Sequence, residues 1–289
     1  MDQLDVDWYS DSYTNDGHDN LNQGGEGAAS DAEPQTSFQL TVYDPAFQTP
    51  SWLQNANVYQ IFPDRFRNGD PTNDYCVSGG TTGCPVFYGT EAVIAHTTWN
   101  EAIHDPRVAG TYFNAYGNQF YGGDLQGVIE KLDYLQSLGI DTIYMTPIFT
   151  ARSNHRYDTD NYMEVDPALG GNAAFAALTQ ELNQRGMHLI LDGVFNHTSS
   201  DSLYFDRYNR YSSDGACESA TSSYREWYEF YNSNTPCTTG DYEGWFGYPS
   251  LAVLTDDDAA VRNFIYRDSS TNVTKYWYEQ GASGWRFDV

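Results

Sequence analysis

The chain has 289 residues, 40% of them hydrophobic and 16% aromatic, enough to bury a core in one large domain or two smaller ones. Its 40 acidic and 14 basic residues give a formal net charge of −26, which repels nucleic acid and anionic lipid alike. No run of 18 apolar residues offers a membrane-spanning helix.

The first 64 residues contain no Lys or Arg, and residues 1–36 are rich in Asp, Asn, Gly and Ser, so they read as linker rather than core. "FQLTVYD" (38–44) alternates like a strand, and the Pro-punctuated "PAFQTPSWL" follows it. Residues 1–44 are therefore expected to be an acidic linker and the last strand of a preceding β-domain, with a second domain over 45–289.

In that second domain the pattern becomes strand, helix, strand. "NVYQIF" (57–62) is a short apolar run, followed over 63–121 by an irregular Gly/Asn/Asp-rich stretch. "DLQGVIEKLDYLQSLG" carries apolar residues at 125, 128, 129, 132, 135 and 138, a helical period, with Asp124 to cap its start and Gly139 its end. "IDTIYMTPIF" (140–149) predicts a second buried strand, and 172–186 another helix with an Asn cap and a closing Gly. "MHLILD" (187–192) predicts a third strand, 198–250 a second irregular excursion, and 256–280 one or two helices ending at Gly281. "GWRFDV" (284–289) is the fourth strand.

Continuous apolar strands separated by helices imply a parallel sheet covered on its faces. Four such units fit either a doubly wound sheet or half of a (β/α)8 barrel. Polar residues gather where strands end, at Asp192, Asn196, His197 and Asp288, the edge at which α/β folds place their chemistry.

The four cysteines lack zinc spacing; two local loop-closing disulfides, Cys76–Cys84 and Cys217–Cys237, are the economical reading against four free thiols. They imply an oxidising compartment, hence a secreted or cell-surface protein. "MDQLDVDWYS" has neither a basic nor an apolar signal segment, so an export signal is expected to lie outside these residues.

"DGVFNH" (192–197), followed some ninety residues later by "GWRFDV", resembles two signature stretches of the α-amylase family of glycoside hydrolases, family 13. "VYQIFPDRFRNGDPTND" (58–74), "YGGDLQGVIEKLDYLQSLGIDTIYMTPIF" (121–149) and "NHRYDTDNY" (154–162) fit the same family, most closely its pullulanase, amylopullulanase and neopullulanase-like members. "WFGYPSLAVL" (245–254) resembles a further signature, with Ala252 where Pro is common. The resemblance implies a (β/α)8 TIM barrel with its first four strands in this chain, a small irregular domain inserted at about 198–250, and retaining hydrolysis of α-glucosidic bonds in starch, pullulan or related α-glucans.

Retaining glycosidases use two carboxyl groups about 5–5.5 Å apart, one as nucleophile and one as acid/base. By the motif match Asp288 would be the nucleophile, and Arg286, two residues earlier on the strand, would share its face. Asp192 resembles the position that holds this Arg, His197 the one that hydrogen-bonds the sugar, and Tyr157 the aromatic that stacks on it; Arg156 stands where relatives often have Gly. Calcium is the implied cofactor. Asn68, Asp70, Asn73 and Asp74 supply hard oxygens close together, to which relatives add the counterparts of Gly122 and Asp124. Without an ion the same residues form a turn and a helix cap. Asn196 matches another calcium ligand of the family, beside the active site. The family's acid/base Glu follows strand five and its third carboxylate strand seven, so the chain is expected to be an incomplete catalytic domain, inactive alone. The alternative is a non-catalytic member that serves as a carbohydrate-binding or partner protein; such members have usually lost the nucleophile or its Arg, and both are present here.

Overall fold

The computed structural model describes residues 48–75, 91–96, 98–103, 105, 116–268 and 270–288, with the strand segments 8–11, 27–30 and 86–87. The expected strand at 38–44 and the expected Cys76–Cys84 bridge lie outside the described residues. The chain forms two compact units, Met1–Gln54 and Asn55–Val289. In the first, Trp8–Asp11 pairs antiparallel with Gly27–Ser30, and Ser51–Gln54 is a single helical turn.

The second unit is built on a four-stranded parallel sheet: β1 (Val58–Ile61), β2 (Thr142–Met145), β3 (His188–Gly193) and β4 (Gly284–Phe287). Their spatial order is the chain order, β1 beside β2, β2 beside β3, β3 beside β4. β2, β3 and β4 each follow at least one helix, the arrangement of consecutive βα units in a barrel wall. Alternation puts Ile143, Met145, Leu189 and Leu191 on the helix side, where all are at most 1% exposed.

The helices are α1 (Leu125–Ile129), α2 (Leu132–Ser137), α3 (Gly171–Gln184), α4 (Ala259–Arg262) and α5 (Val273–Glu279). The single helix expected over 125–138 is broken at Glu130–Lys131, although its apolar residues Leu125, Val128, Leu132 and Leu135 are all buried as the period requires. The strand expected over 140–149 stops at Met145, because Pro147 has no N–H to continue the ladder. Phe149–Ala151 turns away to pair antiparallel with Thr159–Val165. The expected Asn172 cap is also corrected. Gly170, at φ 93°, is the N-cap of α3, and Asn172 Oδ1 accepts from Val165 N–H instead. Among the described residues no helix is long and apolar enough to cross a membrane.

The excursion after β3 is clasped at its base by two antiparallel strands, His197–Ser199 and Leu251–Val253, with Thr198 opposite Ala252. The Cys217–Cys237 disulfide closes it internally. Its aromatic residues Tyr204, Phe205, Trp227, Tyr228 and Tyr242 join the same apolar cluster as the sheet and helices. Trp277 of α5 anchors that cluster, its ring 5.2 Å from Phe149 and 5.0 Å from Phe175, its indole N–H donating to the Tyr162 carbonyl. Burying a side chain of that size contributes about 3 kcal/mol.

Candidate active site

Parallel register brings the expected catalytic residues together. Asp192 is paired with Arg286 across β3 and β4, and the pairing continues upward as Asp288 N–H donates to the Gly193 carbonyl. Arg286 and Asp288, two apart, project from one face. Arg286 Nη1 donates to Asp288 Oδ1 at 2.5 Å and to Asp192 Oδ1 at 3.2 Å. One guanidinium thus bridges a fully buried carboxylate, Asp192, and one whose side chain is 14% exposed, Asp288. The reachable carboxylate is the one a substrate can meet.

Asp192 serves as the anchor of this group. Beyond Arg286, it accepts from the Tyr157 hydroxyl at 3.1 Å and from the Tyr144 hydroxyl. Burial pushes its carboxyl up from the usual range, against the opposing pull of Tyr144 and Arg286. Its Oδ2 accepts from both tyrosine hydroxyls and its Oδ1 from Arg286, and its side chain is fully buried. Burial opposes charging of Arg286, yet its bonds to Asp288 and Asp192 raise its pKa, so the guanidinium stays charged.

Tyr157 and His197 form one side of the site. His197 Nε2 donates to the Tyr157 carbonyl at 3.1 Å, which leaves Nδ1 to accept from Asn196 Nδ2 at 3.2 Å. Burial lowers the His197 pKa, so the ring is neutral at pH 7. Both nitrogens are engaged within the protein. His197 therefore holds the backbone of Tyr157, and bonding a sugar would require exchange of one of these partners.

Two site residues escaped the sequence reading. Tyr144, on β2, reaches Asp192 because the register sets Tyr144 level with Ile190, two residues below Asp192 on the same face. The available signal was its strand parity with Asp192. Trp245, in the excursion, lies with its ring 5.3 Å from His197. Its only signal was membership of the quoted "WFGYPSLAVL" stretch.

The expected metal residues form a second cluster. Asn68 Nδ2 donates to both oxygens of Asp74, at 2.8 and 2.9 Å. Gly122, at φ 73°, presses so close that an added Cβ would stand 2.3 Å from Asp74 Oδ1 and 2.6 Å from Asn68 Nδ2. Asp124 caps α1 through Gly127 N–H at 2.6 Å and also accepts from Gly69 N–H, Asp70 N–H and Asn73 Nδ2. The Asp70 carboxylate instead turns to Thr72, accepting from its N–H and its hydroxyl.

Among the described residues no three His, Cys, Asp or Glu side chains converge as a metal site. The donor set here rests on amide and carbonyl oxygens beside carboxylates, as calcium uses. It passes a test of fit: Asn68 Oδ1 and Asn73 Oδ1 are buried with no hydrogen-bond partner. Burial raises the Asp74 pKa, and the neighbouring Asp124 and Asp70 charges raise it further despite the Asn68 bond, so the cluster is short of positive charge. The arginines just before the cluster in the chain pair elsewhere, Arg65 with Asp64 and Arg67 with Glu130.

Residues 60–289 match the sequence model of the alpha amylase catalytic domain. The chain is 40% identical over 291 residues to an amylopullulanase of Thermoanaerobacter thermohydrosulfuricus, covering 92% of this chain and 19% of the relative. It is 36% identical to neopullulanase 2 of Thermoactinomyces vulgaris, covering 84% of this chain and 35% of that protein. The type III pullulan hydrolase from Thermococcus kodakarensis superposes with a TM-score of 0.65 at 30% identity, over 92% of this chain and 43% of that one. The cyclic α-maltosyl-(1→6)-maltose hydrolase from Arthrobacter globiformis, solved in complex with maltose, gives 0.63 at 32% identity, over 83% and 46%. The chain thus spans about a fifth of the length of the amylopullulanase it matches.

Proposed function

With the chain a member of the α-amylase family, we propose that the protein is a retaining α-glucan hydrolase of the amylopullulanase or neopullulanase type. Its substrates are α-glucan polysaccharides and oligosaccharides such as starch and pullulan. The observation that carries this reading is the partly exposed Asp288 carboxylate, fixed by an arginine that a buried, three-fold-donated Asp192 fixes in turn.

In this mechanism Asp288 attacks the anomeric carbon, forming a glycosyl ester as the glycosidic oxygen departs with a proton. Arg286 keeps the nucleophile oriented. Tyr157 offers its ring to the sugar in the cleavage subsite, and His197 and Asn196 hold Tyr157 in place. Asp192, occupied by donors, does not supply the leaving-group proton; that role falls to a residue outside the four strands described. Water then hydrolyses the ester, and the product keeps the α configuration. A calcium ion held by Asn68, Asn73, Asp74, Gly122 and Asp124 would neutralise the second cluster and pin the loop before α1. The Cys217–Cys237 bridge supports an oxidising location for the excursion, and hence secretion.

The test uses the full-length gene product containing this chain, on maltooligosaccharides and pullulan. Wild type should release α-anomeric products, read by NMR within the first turnovers. Asp288→Asn should lose about 10³-fold or more in kcat with its fold intact. Initial β-anomers, or undiminished turnover in Asp288→Asn, would overturn the assignment.

A further inference from the structure

Tyr157 stands on a loop with unusual internal support. Arg156, directly before it, has φ 60°, in the left-handed region that glycine enters freely and other residues rarely. Its side chain is nevertheless only 1% exposed. Nε donates to Asp166 Oδ2 at 2.8 Å and Nη1 to the Asn154 carbonyl at 2.9 Å. A strained backbone and a dehydrated guanidinium both need compensation, and charge-assisted bonds inside the protein provide it.

Asp166 is fully buried and has further partners. The Tyr75 hydroxyl donates to its two oxygens at 2.9 and 3.0 Å, and Ala168 N–H donates at 2.9 Å. Tyr75 directly follows Asp74, and its ring packs 4.4 Å from that of Phe120, two residues before Gly122. A continuous series of bonded groups therefore runs from the Asn68–Asp74 cluster through Tyr75, Asp166 and Arg156 to the backbone of Tyr157.

We propose that Tyr75, Asp166 and Arg156 are positioning residues that couple occupation of the Asn68–Asp74 cluster by a divalent cation to the ordering of the Tyr157 loop. The inference rests on the calcium assignment above. An ion on Asp74 fixes the backbone from which Tyr75 reaches Asp166. Asp166 then presents one oxygen to Arg156 in a single geometry, and Tyr157, the next residue, is held with it. Linkage makes the effect reciprocal: a sugar seated on Tyr157 tightens cation binding by the same factor. Glycine at position 156 would fit the backbone and break the chain of contacts.

The experiment is hydrogen exchange at the Arg156 and Tyr157 amides, which donate to Ser153 Oγ and His155 Nδ1. It is run with and without calcium on wild type, Tyr75→Phe and Arg156→Gly, with terbium luminescence reporting ion binding. In wild type calcium should slow exchange at both amides by about fivefold or more. Tyr75→Phe should still bind terbium and lose that slowing. Should Tyr75→Phe fail to fold, Arg156→Gly, whose backbone suits glycine, is expected to show the same pattern. Equal calcium-dependent slowing in the folded variants and wild type overturns the coupling, as does ion binding by wild type without slowing. Absence of terbium binding by wild type overturns the calcium assignment and the coupling together, and the luminescence identifies that case.

Discussion

The molecule gathers carboxylates in two places and resolves their repulsion in two ways. At the ends of β3 and β4, Asp192 and Asp288 share Arg286, a cation carried on the strand itself. In the loop before α1, neither Asp74 nor Asp124 pairs with an arginine among the described residues, and two amide oxygens beside them are left unpartnered. A covalently attached cation gives a fixed geometry, suited to orienting a nucleophile. A cation that binds from solution, as proposed for the second cluster, would give a site whose order depends on the ion, suited to holding a loop.

The comparison breaks most severely at Arg286. Arg286→Ala leaves buried Asp192 with two tyrosine donors and no cation, at a cost of about 1–3 kcal/mol, the lower half favoured because the arginine is 45% exposed. Urea unfolding of the variant checks this, and a change below a few tenths of a kcal/mol would remove Asp192–Arg286 from the support of the site. Asp74→Asn sharpens the other half. Without calcium this variant should be no less stable than wild type, since like-charge repulsion is relieved. Saturating calcium, at a hundred times its dissociation constant, should stabilise wild type by about 2.7 kcal/mol and the variant by less. Melting temperatures with calcium and with a chelator check both; an equal calcium response in the two proteins would remove Asp74 from the site.

Asp241, in the excursion, shows a third solution and the smallest expected effect. Among the described residues its carboxylate uses neutral donors, the side chains of Asn232 and Asn234 and the N–H and hydroxyl of Thr238. The Asn232 bond first, then Thr238, pull its pKa down to about 2. Folded below its unfolded value, Asp241 contributes stability that is present above about pH 4 and lost as pH falls toward 2. Asp241→Asn should flatten that part of the pH–stability curve; an unchanged acid limb would show that other carboxylates carry it.

Much of this was legible along the chain. All four sheet strands fall on the apolar runs, β3 passing the end of its run by one residue to Gly193, and Asp124 caps its helix as its position implied. Arg286 and Asp288 share a face because strand side chains alternate. The helix break at Glu130–Lys131 was not legible, since the apolar period runs through it and packing decides. Tyr144 was hidden because its partner Asp192 is 48 residues away and only the register of β2 on β3 joins them.

The sequence by itself determined what is local: strand and helix periods, the pairing of Arg286 with Asp288, and a loop rich in hard oxygen donors. These follow from alternation, capping and composition, which act over a few residues. Tertiary structure alone decided which carboxylate is reachable and which is an anchor. It turned His197 toward the Tyr157 backbone, and it joined Tyr75 to Arg156 through Asp166. Those outcomes depend on register and burial, which bring distant residues into hydrogen-bond range and strip them of water, and no stretch of chain encodes either alone.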